Sequence, residues 1–318
     1  MFISNSLSVE SQLVGNYNAG MTSDVGNTGN ARNRLWGLIL WTLRVTVVLQ
    51  CVGNWRWLTQ IVETPLLHWL LNPTDIGGLA WSESTALAIQ QVVGWLVLVA
   101  AGSVLWRPHV AVLALLVFLQ SLITVAMWQI AEGYSLQASW APPQLLTLFP
   151  FATQLARIAA PLGLMLLGPM SAGRPRGDRR IELTMRLLRW ALAIVFLAHG
   201  IEAWQQNPKF VDLLINSTQR TFGLDIAQST AEQCLTWIGI VDIVLAFACV
   251  SFRWLTVLWW MTFWAGATTI SRLAANGWEM SWHEALARVP HIGVALAVVL
   301  WWHLLKWEQA TTFAAEND

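Results

Sequence analysis

The chain of 318 residues is 56% hydrophobic and only 11% charged, and it contains 22 tryptophans. Soluble globular proteins average about 25% charged residues, so this composition excludes that class and indicates a polytopic membrane protein. The formal net charge of zero leaves no basic surface of the kind that binds nucleic acid.

Residues 1–34 are rich in Asn, Ser, Gly and Thr and lack the features of a signal peptide, so we expect a disordered tail. Eight apolar segments follow, each close to the roughly 20 residues with which a helix crosses a bilayer. They lie near 35–53, 86–105, 108–130, 144–168, 187–204, 234–252, 254–275 and 289–305. The predicted fold class is therefore all-α, with eight transmembrane helices.

The connections between these segments differ in charge. One set carries the basic residues Arg32, Arg34, Arg107, Arg174, Arg176, Arg179, Arg180, Arg186, Arg253 and Lys306. The other set, 54–85, 131–143, 205–233 and 276–288, carries nine of the 18 Asp and Glu residues. The positive-inside rule assigns the basic set and both termini to the cytoplasm, which predicts an integral protein of the cell inner membrane.

Short motifs recur in the same order in the two halves of the chain. "VVGWLVL" (92–98) is similar to "WIGIVDIVL" (237–245), and "LARIAAPLG" (155–163) is similar to "LARVPHIG" (286–293). This pattern predicts a parallel duplication of a four-helix unit, 35–170 and 184–307, and not the inverted repeat of many transporters. A basic cytoplasmic linker, 171–183, joins the units, and a cytoplasmic tail, 308–318, follows them.

Polar side chains distinguish the second unit. Charged groups at membrane depth cost about 2.5–3.5 kcal/mol each, so they normally face a bundle interior or a wet cavity. The alternating direction of the spans brings six such groups to the outward level: His199, Glu202, Asp242, Arg272, Arg288 and His291. The first unit has apolar residues at aligned positions, including Val52, Val97 and Ala160. We therefore expect the second unit to carry a ligand site and the first to be a scaffold.

Several interpretations of the polar set are open. Arg272 and Glu202 could reach interfacial water by snorkelling, as could Arg189 at the opposite face. His199 and Glu202 share a helix face, but one such pair lacks the further carboxylates of di-iron bundles, so no metal site is predicted. In the interpretation that we favour, Arg272 and Arg288 hold a carbonyl or anionic oxygen, His199 or His291 handles protons, and Asp242 orients them.

The second unit resembles the DoxX-like family of small four-helix membrane proteins, which includes the membrane subunit of thiosulfate:quinone oxidoreductase. The similar stretches are "RWALAIVFLAHGIEAW" (189–204), "GIVDIVLAFA" (239–248) and "HEALARVPHIGVALAVVL" (283–300). The resemblance implies a four-helix bundle, a quinone or thiol-redox context and partner membrane or redox subunits.

The function predicted from the sequence is that of a redox-complex or quinone-interacting subunit with an outward-facing polar pocket. A small-solute or proton-coupled permease is the alternative from another class, and a structural membrane assembly factor is the third. The chain has no recognisable nucleophile-and-base pair, P-loop or dinucleotide motif. Neither a catalytic residue nor an enzymatic activity is therefore predicted, and quinone is the one cofactor that the resemblance suggests.

Overall fold

The computed structural model of the chain describes residues 7–61, 63–129, 148–168 and 179–317. These residues form ten α-helices and one short 3₁₀ turn, Thr74–Ile76, and they contain no strand. The helices are α1 (Leu7–Gln60), α2 (Pro65–Leu71), α3 (Glu83–Trp106), α4 (Val110–Gln129), α5 (Phe149–Leu167), α6 (Arg179–Trp204), α7 (Pro208–Phe222), α8 (Gln228–Ser251), α9 (Leu255–Asn276) and α10 (Trp278–Asn317). The predicted all-α class is confirmed.

Six of the described helices are long and apolar enough to cross a membrane. They are Ala31–Gln60 of α1, all of α3, α4, α5 and α8, and Trp278–Thr311 of α10. The expected fifth and seventh spans fall within α6 and α9, which are helical but do not belong to this group. Helix α6 includes several charged residues, and α9 mixes Trp and Thr into its apolar sequence. The six helices are consistent with an integral membrane protein.

Several boundaries differ from those expected from hydropathy. Helix α1 begins at Leu7, so it includes most of the segment that composition predicts to be disordered. The last residues of the expected linker, 179–183, belong to α6. Residues 131–143 and 171–178 lie outside the described residues.

The start of the last helix differs most. The sequence predicts a connection at 276–288 and a span from 289, but α10 begins at Trp278 and Pro290 lies inside it. Gly277, with a φ of 80°, ends α9, and α10 follows at once. Hydropathy misses these first turns because they carry polar residues. Because α10 includes these turns, Arg288 lies well inside the helix and not at its N-terminus.

Glycines allow the closest helix crossings. A Cβ on Gly53 of α1 would lie 2.5 Å from the carbonyl oxygen of His283 on α10. A Cβ on Gly239 of α8 would lie 2.5 Å from the carbonyl oxygen of Gly200 on α6. Backbones that approach this closely leave no room for a side chain, as is typical of helix pairs in membranes. The crossings fix α1 against α10 and α8 against α6.

The other contacts complete a single bundle. Helix α1 also packs along α3, α6 along α5, and α9 along α10. One continuous apolar core runs through the bundle, and its fully buried side chains include Leu43, Leu164, Leu192, Leu258 and Val299. The short helices α2 and α7 lie at the same end, where Pro65 and Lys209 line one cavity. We call this the α7 end of the bundle.

The Arg189 side chain of α6 contacts other helices of the bundle and does not extend to interfacial water as snorkelling would require. Its guanidinium donates hydrogen bonds to the carbonyl oxygens of Cys249 (2.6 Å) and Val250, near the end of α8. It also lies over the Trp302 ring, 5.4 Å from the centroid. Arg189 therefore satisfies orphan carbonyl groups at a helix C-terminus, where a cation is favoured.

Candidate functional site

The candidate site consists of two adjoining cavities at the α7 end of the bundle. The first, which we call the inner cavity, has a volume of about 260 Å³ and is lined by helices α6 to α10. Its lining includes five of the six ionisable residues singled out in the sequence: His199, Asp242, Arg272, Arg288 and His291. Its other walls are mainly apolar, with Phe196, Leu235 and Trp264 among them.

The second cavity, which we call the outer cavity, has a volume of about 310 Å³ and includes Glu202 in its lining. His199, Arg272 and Arg288 line both cavities, so they form the wall between them. The first half of the chain contributes Trp57 and Arg157 to the outer cavity. The structure thus brings the six residues to one region, distributed over two chambers.

His199 and Glu202 form a hydrogen-bonded pair on α6. The His199 Nδ1 atom lies 2.9 Å from Glu202 Oε2. Glu202 is buried, with only 4% of the residue exposed. Because an ionised carboxylate only accepts hydrogen bonds, the imidazole Nδ1 carries the proton. The pair has the geometry expected from a spacing of three along a helix. Glu202 orients the imidazole towards the chamber wall.

His291 is oriented by its own helix. Its Nδ1 atom donates to the carbonyl oxygen of Arg288 at 2.9 Å, one turn earlier on α10. The Nε2 atom is buried and has no hydrogen-bond partner among the described residues. The His291 and His199 rings are 5.9 Å apart between centroids. A neutral His291 therefore presents an unused acceptor beside a second imidazole.

Asp242 supplies a second unused acceptor. The residue is 6% exposed, and its Oδ1 atom has no hydrogen-bond partner in the described part of the chain. Trp264 of α9 lines the same cavity. Buried polar atoms of this kind are rare, because each unmade hydrogen bond costs about 1–3 kcal/mol. Such an atom facing a cavity is a candidate ligand contact.

The two arginines behave differently from the sequence-based expectation. Asp242, Glu202 and a ligand are possible partners for Arg288 within the predicted polar set, yet its guanidinium makes no hydrogen bond or ion pair with any residue that the structure describes. Arg272 pairs with Glu284 of α10, with Nη1 3.5 Å from Oε2. Of the expected partners, a ligand is the one left for Arg288.

Sequence reasoning missed three residues of the site. Phe210 lines both cavities and lies beside His199, with ring centroids 6.0 Å apart and ring planes tilted by 51°. Trp264 is one of many tryptophans in a membrane protein, so nothing in the sequence set it apart. Glu284 could have been found, because it lies four residues before Arg288 and would share its face if the helix began early enough.

The first half of the chain has a polar cluster of its own, and it is closed. The Oε1 atom of Gln120 accepts hydrogen bonds from Gln50 Nε2 at 3.0 Å and from Asn54 Nδ2 at 2.9 Å. The cavity that these residues line has a volume of about 10 Å³, too small for more than a water molecule. Both clusters contain buried polar atoms without a hydrogen-bond partner among the described residues, so they differ in space: the amide cluster has no room for a ligand, whereas the inner cavity does.

The inner cavity can bind a ligand that both accepts and donates hydrogen bonds. Arg272 and Arg288 donate, while His291 Nε2 and Asp242 Oδ1 accept. Within the described residues, no group of three or more His, Cys, Asp or Glu side chains is arranged to hold a metal ion. The site thus has the features of a small-molecule pocket, mostly apolar with a few convergent polar groups.

Comparison with known proteins adds no relative: no family model, curated protein or solved structure matches the chain.

Proposed function

We propose that the chain is an integral membrane protein whose inner cavity binds the headgroup of a quinone or a similar small carbonyl compound. A quinone carbonyl accepts hydrogen bonds, as Arg288 and Arg272 would supply. A quinol hydroxyl donates one, as His291 Nε2 and Asp242 Oδ1 would receive. The chain would act as a subunit of a membrane redox complex, with partner subunits carrying the electron transfer.

One observation carries this proposal. Five ionisable residues from four helices line a single cavity whose remaining walls are apolar. Polar groups at membrane depth are energetically unfavourable, so their presence at the same level on four separate helices indicates that they act together at one site. The volume of about 260 Å³ is close to the lower end of small-molecule sites, about 300 Å³, which suits a single ring.

We further propose that α6 and α9 cross the membrane, giving eight spans in two parallel four-helix units. Helix α9 has 22 residues. At about 1.5 Å per residue, this length is sufficient for a bilayer core of about 30 Å. The packing is also consistent with two related units, since α1 contacts α3 as α6 contacts α8, and α4 contacts α5 as α9 contacts α10. Between the units, α1 packs on α10 and α6 packs on α5.

With eight spans, the basic connections and both termini face the cytoplasm, and the α7 end faces outwards. The ligand site would then lie at the outer side of a cell inner membrane. The resemblance to the DoxX-like family agrees with this arrangement, but it rests only on the short stretches quoted above.

The proposal is tested by ligand-dependent thermal stabilisation of the purified protein in detergent. The probe is duroquinone, a fully substituted ring without a long chain, which does not add to thiols such as that of exposed Cys234. Duroquinone should raise the Tm of the wild type and leave that of Asp242→Asn unchanged. The amide keeps the size of the carboxylate but presents a donor or a weaker acceptor to the ring.

Asp212→Asn is the matched control, because Asp212 lies exposed on α7 and outside both cavities. This variant should keep the full shift. A shift in Asp242→Asn equal to that of the wild type would remove the inner cavity as the site, and a wild type that does not respond would remove quinone as the ligand.

A further inference from the structure

We infer that the inner cavity opens sideways into the bilayer between α8 and α9, so that its ligand enters from the membrane with a hydrocarbon chain left in that opening. This inference rests on the proposed function for the identity of the headgroup. It deepens that function by naming the ligand class, a chain-bearing, membrane-dissolved molecule. It also names the route of entry.

The packing of α8 and α9 provides the gap. Helix α8 packs extensively on α6, and α9 packs extensively on α10, but α8 and α9 contact each other only sparsely although a three-residue turn joins them. The cavity occupies the space between their halves at the α7 end, with Leu235, Ile238 and Asp242 on one side. Trp264, Thr268 and Arg272 line the other side.

Thr268 locates the opening on the helix surface. This residue lines the cavity and is nevertheless exposed, whereas Ala265, one turn earlier on α9, lines the cavity and is only 4% exposed. A residue that is both lining and exposed marks where the chamber meets the outside. The cavity therefore opens through the face of α9 that carries Thr268.

Both helices that flank this opening carry large exposed apolar side chains outside the cavity lining. On α8, Trp237 and Val241 are 69% and 44% exposed. On α9, Phe263 and Ile270 are 63% and 64% exposed, on the side of the helix away from Thr268. Large exposed apolar side chains on adjacent membrane helices face lipid, so a molecule at the opening meets hydrocarbon and not water. The polar atoms of Asp242 and His291 lie behind it, inside the chamber.

The outer cavity does not offer a comparable route for a chain. Its described lining includes Arg157, Lys209, Arg272 and Arg288 together with Glu202 and Glu284. A hydrocarbon chain against these groups would desolvate charge without compensation. The outer cavity suits water and protons, and the opening at Thr268 suits the chain.

The route of entry can be tested without any ligand, by labelling a thiol placed in the chamber. The background is Cys234→Ser in lipid nanodiscs, since Cys51 and Cys249 are buried. We expect the thiol introduced by Ala265→Cys to react several-fold faster with bilayer-soluble N-phenylmaleimide than with a charged methanethiosulfonate. Adding Thr268→Trp should slow the maleimide reaction, because the indole fills the opening. Adding Ile270→Trp, on the same exposed helix but outside the lining, should not.

Equal labelling by both reagents, or labelling that Thr268→Trp does not slow, would overturn the lateral opening. A thiol that reacts with neither reagent would overturn it as well. Because this arm contains no quinone, its result stands apart from the proposed function.

A second arm tests the chain by comparing decylubiquinone with chain-free duroquinone in nanodiscs. Thr268→Trp should weaken decylubiquinone binding by about tenfold, the loss expected when two methylene groups leave apolar contact. Duroquinone binding should change little, and Ile270→Trp should alter neither affinity. If Thr268→Trp weakens both probes equally, or neither, the opening does not hold the chain. If the wild type binds neither probe, the proposed function fails and the labelling arm alone decides the route.

Discussion

The Nδ1 atom of His291 donates to the backbone carbonyl oxygen of Arg288 at 2.9 Å, and this single contact determines which ring nitrogen carries the proton. A carbonyl oxygen only accepts, so the proton is on Nδ1 and the buried Nε2 is left as an acceptor. One turn of α10 thus presents a guanidinium donor and an imidazole acceptor to the same chamber.

Replacing the His291 imidazole should stabilise the ligand-free protein and abolish ligand binding. We expect His291→Leu to raise the Tm of the ligand-free protein, because it removes a buried nitrogen whose missing hydrogen bond costs about 1–3 kcal/mol. The same variant should lose the duroquinone-dependent shift. Thermal unfolding with and without duroquinone measures both effects. His303→Leu, at an exposed position outside both cavities, should keep the shift. An unchanged shift in His291→Leu would mean that Nε2 does not contact the ring.

The crossing of α6 and α8 should tolerate no side chain at Gly239. Gly239→Ala would place a Cβ 2.5 Å from the Gly200 carbonyl oxygen, so the helices must separate, at a cost of about 1–3 kcal/mol. Its control is Gly266→Ala on α9, where a Cβ meets nothing within 4 Å. Thermal unfolding in detergent should rank Gly239→Ala well below the wild type and Gly266→Ala at or above it. Equal Tm values for the two variants would contradict the close crossing.

The amide cluster of the first half should be structural. Gln120→Leu removes the acceptor shared by Gln50 and Asn54. Gln50 Nε2 keeps its bond to the Arg157 carbonyl oxygen, but the buried Asn54 Nδ2 loses its partner, so we expect a loss of about 1–3 kcal/mol. The duroquinone shift should persist, since the cluster lies apart from the inner cavity. Ser121→Ala is the control, because that hydroxyl bonds only to the Val117 carbonyl oxygen of its own helix and should cost little. A Gln120→Leu protein that folds with normal stability but no longer binds duroquinone would assign the first half a direct role.

Eight spans and six spans predict opposite sides for two connections. If α6 and α9 cross, a thiol introduced by Asp225→Cys is labelled by an impermeant maleimide in intact cells. One introduced by Arg253→Cys is then labelled only after the membrane is opened. Both positions are exposed, so accessibility does not limit the reaction, and Cys234→Ser removes the exposed native thiol. If only the six most apolar helices cross, the pattern is reversed. Labelling before and after permeabilisation therefore decides the count.

Hydropathy predicted where helices occur but not where they begin. The window for the eighth span starts at 289, because His283, Glu284 and Arg288 lower the average before it, whereas α10 begins at Trp278. A window that averages side-chain polarity excludes polar turns, although backbone hydrogen bonds continue through them. For this reason Glu284 was read as a loop residue and its pairing with Arg272 was missed.

Alignment of the two halves also underestimated the first half. The apolar matches Val52, Val97 and Ala160 predicted a polar set in one half only. Gln50, Asn54 and Gln120 nevertheless form a buried cluster. The difference between the halves is therefore one of space: the cavity at the amide cluster has a volume of about 10 Å³, and the inner cavity has a volume of about 260 Å³.

By itself, the sequence determined the membrane class, the positions of the apolar helices and the six polar residues of interest. Composition and hydropathy can be read from each segment alone, and so can the energetic cost of placing a charged side chain within the membrane. Only the tertiary structure decided which of these groups share a cavity, that Arg272 pairs with Glu284 and that Arg288 is left for a ligand. Those outcomes depend on close crossings such as Gly53 with α10 and Gly239 with α6, which set helix rotation and spacing and have no signature in a single helix.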